Sequence, residues 1–179
     1  MLSTGELSGD IHGARLVSEL KKIDPSITFL GVGGPKMKEQ GVSLVADLTS
    51  HSTVGILEPI RYIPQIYLGY LKIKKALREE KPDLFIAIDT QGFNMLLLKI
   101  ARKLGIKALY YIAPQEWLWG SEKGGQKVVN LTDKIITIFP GAYEFYKRLG
   151  ANTAYVGHPL LDIAKANLKR EEVYQKFHI

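Results

Sequence analysis

The chain has 179 residues, 46% of them hydrophobic, no cysteine, and a net charge of +6 from 24 basic and 18 acidic side chains. That length suits one domain with its own core, or one half of a two-domain enzyme. Disulfides and thiolate metal sites are excluded, and neither a secretory signal nor a run of about 18 apolar residues is visible.

The lack of cysteine is compatible with a reducing cytosol. The basic balance suits a phosphorylated substrate or an anionic lipid surface. Nucleic acid ranks last, because the chain carries no zinc-finger spacing, arginine-rich tract or RNP-type aromatic motif.

Only Met1 and Leu2 precede the small-residue loop Ser3–Gly13, STGELSGDIHG, so the strand expected ahead of such a loop is clipped to those two residues. Gly5 and Gly9 allow backbone angles and close approaches that a side chain would block. Leu16, Leu20 and Ile23 recur with helical spacing and predict a helix over Asp10–Ile23, capped by Ser8 or Asp10. Its first-turn N–H groups and positive dipole end then face the loop, which suits a phosphate, a sugar hydroxyl or a plain tight turn. The loop is not G-x-G-x-x-G and no Walker lysine follows, so a nicotinamide or nucleoside-triphosphate site loses support.

Ile27–Gly31 predicts a strand closed by Gly33, Gly34 and Pro35. FLGVGGPKM at 29–37 is either a helix entry through Pro35 or a second glycine-lined wall of the same cleft. Val54–Arg78 places Tyr62, Tyr67 and Tyr70 among leucines and isoleucines, then Lys72, Lys74, Lys75 and Arg78, with Pro59 and Pro64 breaking its front. It fits a helix lying on an anionic membrane, and equally a core helix with a solvated basic face.

Leu84–Ile88, Ala108–Ile112 and Ile135–Phe139 are continuous apolar runs, suited to strands buried on both faces of a parallel sheet. Helices are predicted over Gly92–Leu104 and Ala142–Leu149, stopped by Gly105 and Gly150. Asp89 falls just after a buried strand, where it acts chemically or caps the next helix. Asn94 binds a sugar hydroxyl or caps.

The loop Tyr110–Trp119 gathers Gln115, Glu116, Trp117 and Trp119. Either one indole lines an apolar or sugar-binding groove, or both rings pack inside. In VGHPLLD, 156–162, His158 donates to a phosphate, serves as a base, or is structural. Lys165–Ile179 reads as a charged helical stretch leading to a linker or a further domain. The alternation of strands and helices predicts a Rossmann-like, doubly wound parallel α/β sheet over 1–162, with 163–179 a helical link.

STGELSGDIHGA, FLGVGGPKM, PDLFIAIDTQGFN, YIAPQEWLW, Phe139-Pro140 and VGHPLLD occur in this order. Together they resemble the lipid-A-disaccharide synthase family across essentially the whole chain, at the N-terminal half of that family's usual length. The resemblance implies half of a glycosyltransferase-B architecture, facing mainly the acceptor. The implied reaction joins UDP-diacylglucosamine to diacylglucosamine 1-phosphate by inverting attack, releasing UDP, in lipid A biosynthesis. It implies no metal and no cofactor, and work at the cytoplasmic face of the inner membrane of a Gram-negative cell. Implied partners are those two substrates, an anionic membrane surface, and a further copy or a separate C-terminal half; nucleic acid is not among them.

The residues nominated for substrate are Gly5, Glu6, Ser8, Gly9, Asp10, Gly33, Gly34, Asn94, Gln115, Trp117 and His158, with Asp89 at the chemistry. An inverting displacement needs a base at the acceptor hydroxyl and cations or dipoles at the leaving diphosphate.

One departure bears on the base. The family's IDAPDFN-type segment carries two acids, the second favoured as base, whereas 88–94 here reads Ile-Asp-Thr-Gln-Gly-Phe-Asn. The second acid is Gly92, leaving Asp89, with Asp10, Glu6 and Glu116 as nearby substitutes. Either Asp89 or another acid serves, or the acceptor differs, or the chain binds a phosphoglycolipid without catalysis. An isolated half is expected to show little or no transfer. An unrelated nucleotide-sugar enzyme, such as an epimerase, would need a nicotinamide fingerprint that is missing.

Overall fold

The computed structural model describes residues 1–49, 58–162, 164 and 170–177. Seven parallel strands form one sheet: β1 (Leu2–Ser3), β2 (Leu30–Gly33), β3 (Ser43–Asp47), β4 (Leu84–Ile88), β5 (Lys107–Tyr111), β6 (Lys134–Thr137) and β7 (Thr153–Tyr155). Their order is β3-β2-β1-β4-β5-β6-β7. Helices α1 (Leu7–Ile23), α2 (Pro35–Glu39), α3 (Glu58–Glu79), α4 (Gln91–Lys103), α5 (Glu122–Leu131), α6 (Pro140–Arg148) and α7 (Arg170–Phe177) occur between or after them. The doubly wound Rossmann-like sheet is therefore present.

β1 is two residues long yet central. Leu2 pairs with Gly31 on one side and Ile86 on the other, and Ser3 with Val32 and Ala87. Gly31 is needed there, because a Cβ would run into the Leu2 carbonyl. From β1 the chain winds outward to β2 and β3, then crosses back to β4 on the opposite side. That reversal opens a crevice at the carboxyl ends of β1 and β4.

The strands alternate their burial between two layers. Leu2, Ile86 and Ile88 pack with Ala14, Val17 and Met37 of α1 and α2. Phe85 and Ala87 pack with Ile73, Leu77, Leu97 and Leu98 of α3 and α4. The apolar runs around 84–88, 107–111 and 134–137 owe their unbroken character to this two-sided cover.

Three elements escape the sequence pattern, α5 and the edge strands β3 and β7, whereas α2 opens at Pro35 as the helix-entry reading of FLGVGGPKM expects. β3 is only half-buried, with Ser43 and Asp47 exposed, so it lacks a continuous apolar run. α5 contains Gly124 and Gly125, poor helix formers. It is held at its start by Ser121, whose Oγ accepts the Gly124 N–H at 3.0 Å. α3 corrects another expectation, since the helix runs unbroken through Pro64. Pro59 falls in its first turn, where no N–H partner is required.

Candidate functional site

Two strand-end loops meet in the crevice. After β4, Asp89 and Thr90 both take left-handed backbone angles, with φ of 51° and 29°. Such angles cost about 1–3 kcal/mol per residue and persist only where the surroundings impose them. Three groups do so. Asp89 N–H donates to the Tyr111 carbonyl at 3.1 Å. The buried Tyr110 hydroxyl donates to the Asp89 carbonyl at 2.8 Å. Asn94 Nδ2 donates to the carbonyls of Ile88 and Asp89 at 3.0 and 3.1 Å.

The turn brings β4 against the loop that follows β1. Ser8 Oγ donates to Asp89 Oδ2 at 3.4 Å, and Gly5 N–H donates to Thr90 Oγ1 at 3.2 Å. Gly5 has little room for a side chain, since a Cβ would stand 3.1 Å from the Thr90 methyl. Glu6 is raised above the usual carboxylate range, first by partial desolvation and then by the Asp89 charge, against a lowering hydrogen bond to Thr90. Gly5, Glu6, Ser8 and Asp89 therefore share one place.

His158 joins them from the far side. Its Nδ1 accepts the Leu160 N–H at 3.2 Å, which leaves Nε2 to carry the proton of the neutral ring. The ring stands edge-on to Phe139 at 5.5 Å and to His12 at 6.3 Å between centroids. Arg15 Nη1 reaches the Pro159 carbonyl at 3.5 Å. His12 is a site residue that the sequence pattern hides. It is buried, its Nδ1 has no hydrogen-bond partner, and its basicity is lowered by burial, His158 and Arg15 and raised by Asp89. The available signal was its spacing of four from Ser8, which puts both on one face of α1.

Asp10 does not cap α1. The helix starts at Leu7, with Glu6 at the cap position making no side-chain capping bond, and Ser8 lies inside it. Asp10 is fully buried and caps α2 instead. Its Oδ1 accepts the N–H of Gly34 at 2.8 Å and Met37 at 3.0 Å, and its Oδ2 that of Lys36 at 2.9 Å. With both oxygens engaged, it is a poor stand-in for a missing base.

The glycines around it are packing positions. A Cβ at Gly9 would meet Thr4, one at Gly33 would meet Met37, and one at Gly34 would meet Thr49 and Asp10. Asn94 is fully buried and does not cap α4; Thr90 occupies that position.

The tryptophans are not both inside. Trp119 is 84% exposed and Trp117 36%. Trp117 Nε1 donates to Gln115 Oε1 at 2.6 Å, and its ring lies against Gly141. Glu116 accepts from Gln91 Nε2 and, at 3.0 Å, from the Ser121 N–H. A Cβ at Gly92 would meet nothing within 4 Å.

A cavity of about 590 Å³ lies away from the crevice, lined by Thr28, Phe29, Ser43, Lys72 and Glu79 among others. It sits at the opposite ends of β2 and β3 and contains none of the nominated residues. On α3, Ile73 and Leu77 are buried, while Ile66, Tyr67, Leu68 and Leu71 are exposed. The helix thus has a core face and an exposed apolar patch; the Tyr62 side chain lies outside the described residues. Among the described residues, no helix is long and apolar enough to cross a membrane, and no group of three His, Asp or Glu could hold a metal ion.

The family model described as lipid-A-disaccharide synthetase matches residues 1–179. Lipid-A-disaccharide synthase of Geobacter metallireducens is 39% identical over 99% of this chain and 46% of its own length. Those of Trichlorobacter lovleyi and Geobacter sulfurreducens are each 40% identical over the same shares. The chain thus spans about half the length of these relatives. Among solved structures, UGT73P12 of Glycyrrhiza uralensis matches 89% of the chain and 48% of its own, with a TM-score of 0.54 and 12% identity. HepE of Anabaena, in complex with UDP and glucose, matches 99% and 49%, with a TM-score of 0.53 and 15% identity. These two likenesses concern the fold, that of one half of a glycosyltransferase-B architecture.

Proposed function

We propose a function from one premise: the chain belongs to the lipid-A-disaccharide synthase family. Residues 1–162 form the acceptor-side domain of a glycosyltransferase, and 163–179 lead toward a donor-binding half. The reaction moves diacylglucosamine from UDP-diacylglucosamine to diacylglucosamine 1-phosphate. The acceptor hydroxyl attacks the anomeric carbon as its bond to the diphosphate breaks, UDP leaves, and the configuration inverts.

The observation that carries this reading is Asp89, held at the switch point of the sheet by a turn whose strain is locked by Tyr110 and Asn94. In this role Asp89 takes the proton of the attacking hydroxyl, and Ser8 orients its carboxylate. Glu6 and the Nε2–H of His158 contact the acceptor's sugar and phosphate. Gln115 lines its outer wall. The protein works at the cytoplasmic face of the inner membrane, with the exposed face of α3 and Lys72, Lys74, Lys75 and Arg78 against anionic lipid.

The test joins this chain to the C-terminal half of the Geobacter sulfurreducens synthase and measures disaccharide and UDP. The joined protein transfers, this chain alone does not, and Asp89→Asn lowers transfer by roughly 10²–10⁴-fold with folding intact. Full transfer by the variant removes Asp89 from the mechanism. The open space at Gly92 favours a second reading, a half that binds phosphoglycolipid without catalysis. Disaccharide from the joined protein ends it.

A further inference from the structure

Among the described large apolar side chains, Trp119 is the most exposed, at 84%. It does not stand alone. With Gln91, Gln115, Glu116 and Gly120 it lines a cavity of about 140 Å³, the scale of a single sugar ring. Gln91 follows directly on Asp89 and Thr90, while the other four belong to the loop after β5. The cavity therefore lies at the carboxyl ends of β4 and β5.

Its polar rim is fixed. Gln91 Nε2 donates to Glu116 Oε1, and the Ser121 N–H donates to Oε2 at 3.0 Å. Gly120 and Gly124 make the seat, because a Cβ at either would collide with the Glu116 carboxylate. The neighbouring Trp117 is tied to Gln115 and lies over Gly141, leaving Trp119 as the open indole.

An indole left in water forgoes a large burial gain. An aromatic wall with a fixed carboxylate and amides at its edge matches a pyranose. The C–H face of the ring packs on the π face, and its hydroxyls donate to the carboxylate or bond with the amides.

We propose that this cavity is a pyranose subsite, where a hexosamine ring stacks on Trp119 and donates a hydroxyl to Glu116. Naming that ring as the acceptor's sugar rests on the transferase reading; the subsite itself belongs to this chain alone.

The chain has two tryptophans, so Trp117→Phe leaves Trp119 as the sole indole reporter. Titration of this variant with N-acetylglucosamine 1-phosphate gives a saturable blue shift in emission, and inorganic phosphate gives none. Adding Glu116→Gln weakens the response about tenfold. Wild type is titrated in parallel, with circular dichroism as the check on folding, in case Trp117→Phe disturbs the loop. Trp119→Ala in the otherwise wild-type chain, where Trp117 still emits, abolishes the response.

Unchanged emission in folded wild type and Trp117→Phe overturns the subsite. So does an equal response to inorganic phosphate, a response surviving Trp119→Ala, or a shift that appears only on adding a C-terminal half. Transfer by the joined protein without a Trp119 response sinks the subsite and spares the transferase reading. A Trp119 response without transfer does the reverse.

Discussion

Ser8 donates to Asp89 across 81 positions of sequence, closing the crevice between β1 and β4 with a 3.4 Å hydrogen bond. The contact exists because α1 begins at Leu7, earlier than its apolar periodicity suggests, and so carries Ser8 in its first turn. The bond is long and exposed, so it orients more than it stabilises.

Ser8→Ala should therefore leave the melting temperature within about 1–2 °C, since so long and exposed a bond contributes little. Transfer by the joined two-half protein should fall about three- to tenfold, the kinetic counterpart of roughly 1 kcal/mol. Steady-state kinetics beside a melting curve separate the two. A large loss of stability would show that Ser8 supports the fold instead.

Asp10 makes the opposite prediction. Asp10→Ala strips three N–H groups at the start of α2, those of Gly34, Lys36 and Met37, of their acceptor inside the core. The cost is about 3 kcal/mol, or about 6–12 °C in melting temperature for a chain of this size. Asp10→Asn costs less, because an amide oxygen still accepts from two of the three. Any loss of transfer should follow the unfolded fraction, which denaturant melts beside activity at low temperature would resolve.

The contrast between these two residues marks what could be read from sequence. The places of Asp89 and His158 in the crevice were legible because polar groups in strand-end loops of a parallel sheet have few structural duties to explain them, whereas Ser8, read as a cap, lies inside α1. Asp10 was misassigned because its partners lie 24 to 27 positions ahead, and local capping rules see only the next turn. His12 was invisible inside a helix pattern, flanked by Ile11 and Gly13, and only the approach of the His158 loop to α1 gives it a neighbour. The central sheet could be read from its unbroken apolar runs. The edge strands β3 and β7 could not, because an edge is covered less and needs no such run.

Gly92 lies in the first turn of α4 with open space where a Cβ would stand. Gly92→Asp should raise stability by about 1 kcal/mol. It replaces glycine in a helix and sets a negative charge at the positive end of the dipole. The melting temperature should rise about 2–4 °C. In the joined protein the added carboxylate supplies a second acid beside Asp89, and transfer should increase. A rise in stability with no rise in transfer would mean that Asp89 needs no second acid.

His12 links the crevice to pH. Burial, with His158 and Arg15 nearby, holds its folded-state pKa below the usual imidazole value, and the opposing pull of Asp89 is smaller than the burial effect. The unfolded chain therefore binds more protons than the folded one between that lowered value and about 6.5, so stability rises with pH through this window. On acidification the folded state must take up a proton on a buried ring or lose ground to the unfolded chain. His12→Gln should flatten this limb of the stability curve below about pH 6.5, while leaving the slope at higher pH unchanged. Urea melts at half-unit pH steps, wild type beside variant, read this directly. Parallel curves for the two proteins would show that the acid limb belongs to other groups, and that the unpartnered Nδ1 of His12 is not where the protons are taken up.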